Sequence, residues 1–260
     1  MKIATWNVNS VKARLDSVLT WMKQAEPDVA GFQEIKCVDD AFPRFEFEAM
    51  GYKVETHGQK TYNGVALLSK HPIEDVTRGL PGFADEQARY IEALIAPKGK
   101  AAVRVVCLYL PNGNPAPGDK YDYKLAWMEA LQARVRQLLK WEERLVVMGD
   151  YNVIPAAEDV HDPAAWAKDA LFLPQSRAAW RRLVHLGLTD AVRACNRQPH
   201  QYTFWDYQGG AWPKNNGIRI DHILLSPQAA DRLEEAGIDR HVRGWDKASD
   251  HVPVWCRLKG

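Results

Sequence analysis

Four short polar clusters interrupt the apolar runs of this 260-residue chain: Trp6-Asn7-Val8-Asn9, Gln33-Glu34, Gly149-Asp150-Tyr151-Asn152 and Ser249-Asp250-His251. Each adjoins a run rich in Val, Ile or Leu that reads as a strand. Strand ends are where a β-sheet protein collects functional groups, one or two from each loop. Carboxylate, amide and imidazole groups together form the parts of a hard-cation site able to cleave a phosphate ester. Taken singly, each cluster has a plainer reading. Asn152 fits an Asx turn after a strand, and Glu34 fits a solvated strand end. It is the four together, in this order, that point to chemistry.

The elements that must hold these groups are legible as hydrophobic patterns. Strand-like runs lie at 2–6, 29–33, 52–55, 65–68, 91–95, 103–110, 145–148, 220–225 and 252–258. Residues 11–24 carry a helical stripe of Val11, Leu15, Val18, Leu19 and Met22, and residues 121–141 another through Leu125, Met128, Leu131, Val135 and Leu138. Residues 176–185 and 227–235 read as two further helices. Asn63-Gly64 is a hairpin-turn dipeptide. Strands outnumber helices and several are hairpin neighbours, which implies two packed sheets with helices outside. No linker or repeat divides the chain, so 1–260 is expected to be one catalytic domain. The loops 112–119 and 153–174 are long for a compact domain, and long loops are usually functional.

Lys plus Arg number 34 and Asp plus Glu 33, so net charge gives no argument for a nucleic acid and any basic surface must be local. Cys37, Cys107, Cys195 and Cys256 lack the C-x-x-C spacing of a structural zinc site. The first residues read as a strand, not a signal peptide, and no run approaches the length of a membrane span. The expectation is a soluble protein of the cytoplasm, without a membrane partner.

At the level of whole segments the chain resembles the exonuclease III-type apurinic/apyrimidinic endonucleases of the endonuclease/exonuclease/phosphatase superfamily. The resemblance runs nearly end to end. Its carriers are Thr5–Asn9, Phe32–Lys36, Tyr62–Ala66, Tyr109–Gly113, Gly149–Asn152, Tyr202–Tyr207, Arg219–His222 and Ser249–Pro253. It implies a four-layered α/β sandwich and a Mg²⁺-dependent DNA-repair phosphodiesterase, with Mn²⁺ able to substitute. It further implies a monomer that incises duplex DNA 5′ to abasic sites, leaving a 3′-hydroxyl, and that acts on blocked 3′ ends as exonuclease and phosphatase.

The same resemblance assigns roles. Glu34 is the principal metal ligand, with Asn7 and Asp250 beside it. Asp150 and Asn152 orient or deprotonate the attacking water. Asp221 holds the His251 imidazole, which fits either a base or a cation on phosphate. Tyr109 and Asn112 contact phosphate, and Asn9, Lys36 and Arg219 lie on the substrate side. Lys60, Lys120, Lys124, Arg177, Arg181, Arg182 and Lys214 could track a DNA backbone. Phe204, Trp205 and Ile220, with Trp212 at the rim, are expected around a small apolar pocket, which Ile218 would make aliphatic. The alternative keeps the chemistry and changes the substrate to RNA or another phosphate ester.

Overall fold

A computed structural model describes residues 1–260. The first half runs β1 (Lys2–Asn7), α1 (Leu15–Ala25), β2 (Val29–Gln33), α2 (Arg44–Glu48), β3 (Lys53–His57), β4 (Val65–Ser69), β5 (Ile73–Arg78), β6 (Tyr90–Ile95), β7 (Val103–Tyr109) and α3 (Asp119–Leu139). The second runs β8 (Arg144–Asp150), α4 (Pro174–Val184), β9 (Thr189–Asp190), α5 (Ala191–Cys195), α6 (Ala211–Lys214), β10 (Asp221–Leu225), α7 (Pro227–Ala230), β11 (Leu233–Ile238) and β12 (Val254–Leu258). The strands form two six-stranded sheets, ordered β11-β12-β1-β2-β4-β3 and β5-β6-β7-β8-β10-β9. Each sheet has one parallel pair at its centre, β1 with β2 and β7 with β8. The long helices α1 and α3 are the crossovers those parallel pairs require.

Period-two alternation explains the layering. Val105, Cys107, Val146 and Met148 point between the sheets, where they meet Ile3, Val29, Leu67 and Val254. Their neighbours Val106, Leu108 and Val147 point outward onto Trp127, Leu131 and Trp180 of α3 and α4. On the other sheet Ala4, Trp6 and Phe32 point outward onto Val18, Trp21 and Met22 of α1. The result is helix, sheet, sheet, helix: the four-layered sandwich expected from sequence. Burying each such aliphatic side chain stabilises the fold by about 1.5–3 kcal/mol. Gly31 lets the sheets approach closely, because a Cβ there would lie 2.6 Å from Met148 Cε and 2.9 Å from Cys107 Sγ.

Two elements differ from expectation. Residues 227–235 are not one helix: α7, capped by the Ser226 hydroxyl on the Ala229 amide, gives way to the edge strand β11. The first turn of the stripe at 11–24 is not helical, and α1 begins at Leu15. The edge strand β5 escapes sequence reading because half its residues are exposed and polar. No helix is long and apolar enough to cross a membrane.

Candidate active site

The strand order brings the polar clusters to one edge of the sandwich. Asn7 pairs with Gln33 where β1 and β2 end, and Tyr109 pairs with Asp150 where β7 and β8 end. The antiparallel β10 begins opposite Asp150, at Asp221. The antiparallel β12 pairs with β1, so the Ser249–His251 segment before it reaches the same edge. Gly149 is required there, since a Cβ would fall 1.9 Å from the Leu108 carbonyl oxygen. Immediately beyond the strands, Asn9, Glu34, Lys36 and Asn152 all have positive φ, between 44° and 54°. A left-handed backbone is costly for residues such as Glu and Lys, and this kind of strain clusters at functional sites.

Asn7 is fully buried and joins the two sheets' carboxylates. Its amide nitrogen donates to Glu34 Oε1 at 2.9 Å and to Asp150 Oδ2 at 3.0 Å. Lys36 Nζ pairs with Glu34 Oε2 at 2.8 Å and donates to Asn9 Oδ1 at 2.6 Å. Asn9 in turn donates to Asp250 Oδ1 at 3.1 Å. The Asn152 amide N–H donates to Asp150 Oδ1 at 2.9 Å, and Asn112 Nδ2 reaches Asn152 Oδ1 at 3.3 Å. His251 lies with Nδ1 2.8 Å from Asp221 Oδ2 and Nε2 3.7 Å from Asp150 Oδ2. The edge of Phe204 packs on the His251 ring at 4.9 Å between centroids.

Electrostatics sort these groups. Burial raises the pKa of Asp150, with Asp221 adding to the effect and the His251 charge opposing it. Burial works against a charged His251, yet Asp221 and Asp150 outweigh it and hold the imidazole well above its ordinary value. Burial likewise opposes a charged Glu34, but Lys36 and the Asn7 donor keep its carboxyl below the usual range. Tyr109 is pushed up, first by burial and then by Glu34 and Asp150. An imidazolium and the Glu34 carboxylate therefore share one low-dielectric edge with Asp150, whose pKa burial pushes up to about 7.

A cation would fit this arrangement. Glu34, Asp150 and His251 each offer a ligand atom within 4.8 Å of the others. Since the His251 Nδ1 is engaged by Asp221 and its ring favours the charged form, the usable donors are oxygens, which suits a hard divalent ion. Two of the expected ligands sit differently. Asn7 turns its amide nitrogen, not its oxygen, toward the carboxylates, while its Oδ1 accepts the Asn9 amide N–H at 3.0 Å. Asp250 lies outside the tight cluster, held by Asn9 and Ser249, although it lines the same cavity.

That cavity has a volume of about 280 Å³. Its polar floor includes Glu34, Tyr109, Asn112, Asp150, Asn152, Asp250 and His251, and its apolar wall is Phe204, Ile218, Ile220, Leu171 and Trp166. Phe204, Ile218 and Ile220 were expected there from sequence. Trp205 and Trp212 are not part of it. Trp205 is fully buried in the α1-side core, donates Nε1 to Asn215 Oδ1 at 3.2 Å, and packs edge-on to Trp212 at 4.9 Å. Successive residues on an extended segment face opposite ways, so Phe204 and Trp205 could not both line one pocket.

Arg219 does not face substrate either. It is 2% exposed, with Asp159 and Asp190 each at 2.7 Å. Lys124 is fully buried and also leaves the backbone-tracking set. Sequence reasoning missed Trp166 and Leu171, whose only signal was their place in the long loop 153–174. It also missed the buried role of Lys124, which a surface reading of α3 conceals.

Comparison with known proteins agrees with this geometry. Residues 4–251 match the model of the Endonuclease/Exonuclease/phosphatase family. The chain is 34% identical to exodeoxyribonuclease III of Haemophilus influenzae over 271 residues, covering all of both chains. It superimposes with a TM-score of 0.95 on a 3′ phosphatase from Neisseria bound to a product DNA hairpin, at 37% identity and full coverage of both chains. An AP endonuclease from Archaeoglobus fulgidus gives the same TM-score at 35% identity, again over the whole of each chain.

Proposed function

As a member of the endonuclease/exonuclease/phosphatase family, the chain is a metal-dependent hydrolytic nuclease of DNA repair, and we propose that it incises duplex DNA 5′ to abasic sites and trims blocked 3′ ends. The observation that carries the substrate reading is the cavity. It is small, apolar on one wall, and opens directly onto the Asp150–His251 pair. A deoxyribose without a base can swing out of a helix at low unstacking cost and enter such a space, whereas an intact nucleotide is excluded by its base. A 3′-terminal phosphate presents the same atoms without any flipping.

Each residue then has a task. Mg²⁺ is the proposed ion, with Mn²⁺ as substitute. Glu34 would be its principal holder, beside Asp150 and with Asp250 in the same cavity, and the ion would neutralise charge on the phosphoryl oxygens. Asn7 fixes the two carboxylates relative to each other. Asp150 accepts the proton of the attacking water, which the Asn152 side chain helps to orient, and the Asn152 backbone N–H holds the Asp150 carboxylate. His251, kept charged by Asp221, offers Nε2–H to the phosphate, where negative charge grows in the transition state. Tyr109 and Asn112 complete the phosphate contacts. Phe204, Ile218 and Ile220 hold the sugar. All 260 residues serve as one catalytic domain, acting as a monomer.

The test is the initial rate on two duplexes that differ only by one synthetic abasic residue, with and without chelator. Preferential, chelator-sensitive incision leaving a 3′-hydroxyl is expected. Equal rates on the two duplexes would remove the abasic reading and leave the nuclease.

A further inference from the structure

Lys124 projects from α3 into the interior and has no exposed surface. Its three N–H bonds meet three backbone carbonyls: Pro111 at 3.1 Å, Asn112 at 3.0 Å and Asn152 at 2.5 Å. Those carbonyls belong to two loops that leave β7 and β8, and the side chains of Asn112 and Asn152 line the catalytic cavity. We infer that Lys124 is a positioning residue of the cleavage reaction, tying the loop that presents Asn112 to the loop that presents Asn152.

The cost of this arrangement argues that it does more than fill space. An ammonium without an adjoining carboxylate is expensive to bury, and here that cost is offset only by three loop carbonyls that an apolar side chain would leave without a donor. Burial lowers its pKa to about 7, with Asp150 and Asp169 only partly offsetting the effect. The surrounding chain is shaped around the stem. Gly113 has φ +91°, and a Cβ there would lie 2.6 Å from Lys124 Cδ. The link closes on the substrate side, where Asn112 Nδ2 reaches Asn152 Oδ1 at 3.3 Å and Asn152 Nδ2 donates to the Leu110 carbonyl at 2.9 Å. Three carbonyls, one ammonium and two facing amides thus set the spacing between Asn112, assigned to the phosphate, and Asn152, assigned to the attacking water. A displacement of about 1 Å at such groups can cost about 10²-fold in rate.

The inference rests on the roles proposed for Asn112 and Asn152, and the test separates the two. Steady-state kinetics on the fastest duplex substrate are measured for Lys124→Met, Asn152→Ala and the double variant of the full chain. Lys124→Met should lower kcat by about 10²-fold while leaving KM and Mg²⁺ affinity within about twofold. In the Asn152→Ala background, Lys124→Met should cost much less than it does alone, because Lys124 acts in part through Asn152. Lys124→Arg, which keeps charged donors, should recover part of kcat. Unchanged kcat in Lys124→Met, or losses that multiply in the double variant, would overturn the positioning role. Full activity of Asn152→Ala would instead overturn the assignment of Asn152. If Lys124→Met fails to fold, Lys124→Gln decides by the same comparison.

Discussion

The imidazole of His251 is suspended between two carboxylates, with Nδ1 2.8 Å from Asp221 and Nε2 3.7 Å from Asp150. The closer contact is to Asp221, which is fully buried and lies off the cavity, and the longer one is to Asp150, which lines it. Asp221 therefore fixes the ring and its charge, and leaves Nε2 to face the substrate. His251→Asn should lower kcat by about 10²–10⁴-fold. Asp221→Asn should cost less, since the ring and its donor remain. The sign of its pH effect follows from the raised His251 pKa. Without the Asp221 charge the imidazolium loses its proton at lower pH, so the alkaline fall in kcat should move to lower pH. An unmoved alkaline limb in Asp221→Asn would exclude His251 as the group that titrates there.

Asp150→Asn should separate catalysis from folding. Asn7 can still donate to the remaining carbonyl oxygen, and the change removes a buried charge whose desolvation is unfavourable. In chelator the variant should melt no lower than the unmodified protein, while kcat falls about 10²–10⁴-fold. Turnover near the unmodified rate would show that another group activates water.

Metal binding should be visible in stability as well as in activity. Glu34 and Asp150 repel each other across the Asn7 amide, so a divalent ion that joins them favours the native state. Mg²⁺ should raise the melting temperature of the unmodified protein, chelation should abolish cleavage, and Mn²⁺ should restore it. In Glu34→Ala the melting temperature should no longer respond to millimolar Mg²⁺. Full activity in excess chelator would contradict the metal requirement.

How much of this was open to reading from sequence depends on where each residue gets its meaning. Asn7, Glu34, Asp150 and His251 sit at the ends of apolar strands, so their convergence follows from strand order alone. Trp205 shows the opposite case. Its type and its neighbour Phe204 suggest a pocket, but strand alternation sends it into the core. Arg219 reads as a DNA contact until Asp159, from the loop 153–174, and Asp190, from β9, are brought to it. Lys124 looks like a solvated position on α3 because nothing local says that three carbonyls will close around it. Side-chain direction at strand ends and partners distant in sequence are tertiary facts.

His222 adjoins Asp221 yet turns the other way, with Nε2 3.1 Å from the Val153 carbonyl and Nδ1 3.1 Å from Arg219. Burial, reinforced by the Arg219 charge, lowers its pKa to about 4. A histidine depressed in the native state contributes stability that is full above its unfolded value near 6.5 and is lost as pH falls toward 4. The native advantage of His222 over a His222→Gln variant should therefore shrink by up to about 3 kcal/mol across that window. The difference between the two proteins is the quantity to follow, because protonation of Asp150 changes stability in the opposite direction in both. Denaturant titrations at several pH values measure it, and a pH-independent difference would mean that His222 does not titrate as the structure requires.

Phe204 and Trp205 are adjacent in sequence and should fail in different ways. Trp205 is enclosed by core side chains, so Trp205→Ala should destabilise the fold by about 3–5 kcal/mol and lower all activities together through loss of folded protein. Phe204 touches the His251 ring on one side and the cavity on the other. Phe204→Ala enlarges the cavity and weakens the wall against which a base-free sugar would rest. Removing a wall makes room for larger groups, so the variant should lose preference for abasic over intact duplex more than it loses 3′-phosphate removal, which needs no flipped sugar. The two initial rates, measured on one preparation of folded protein, give the ratio directly. A parallel fall in both rates would make Phe204 a support for His251 and leave the sugar pocket to Ile218, Ile220, Leu171 and Trp166.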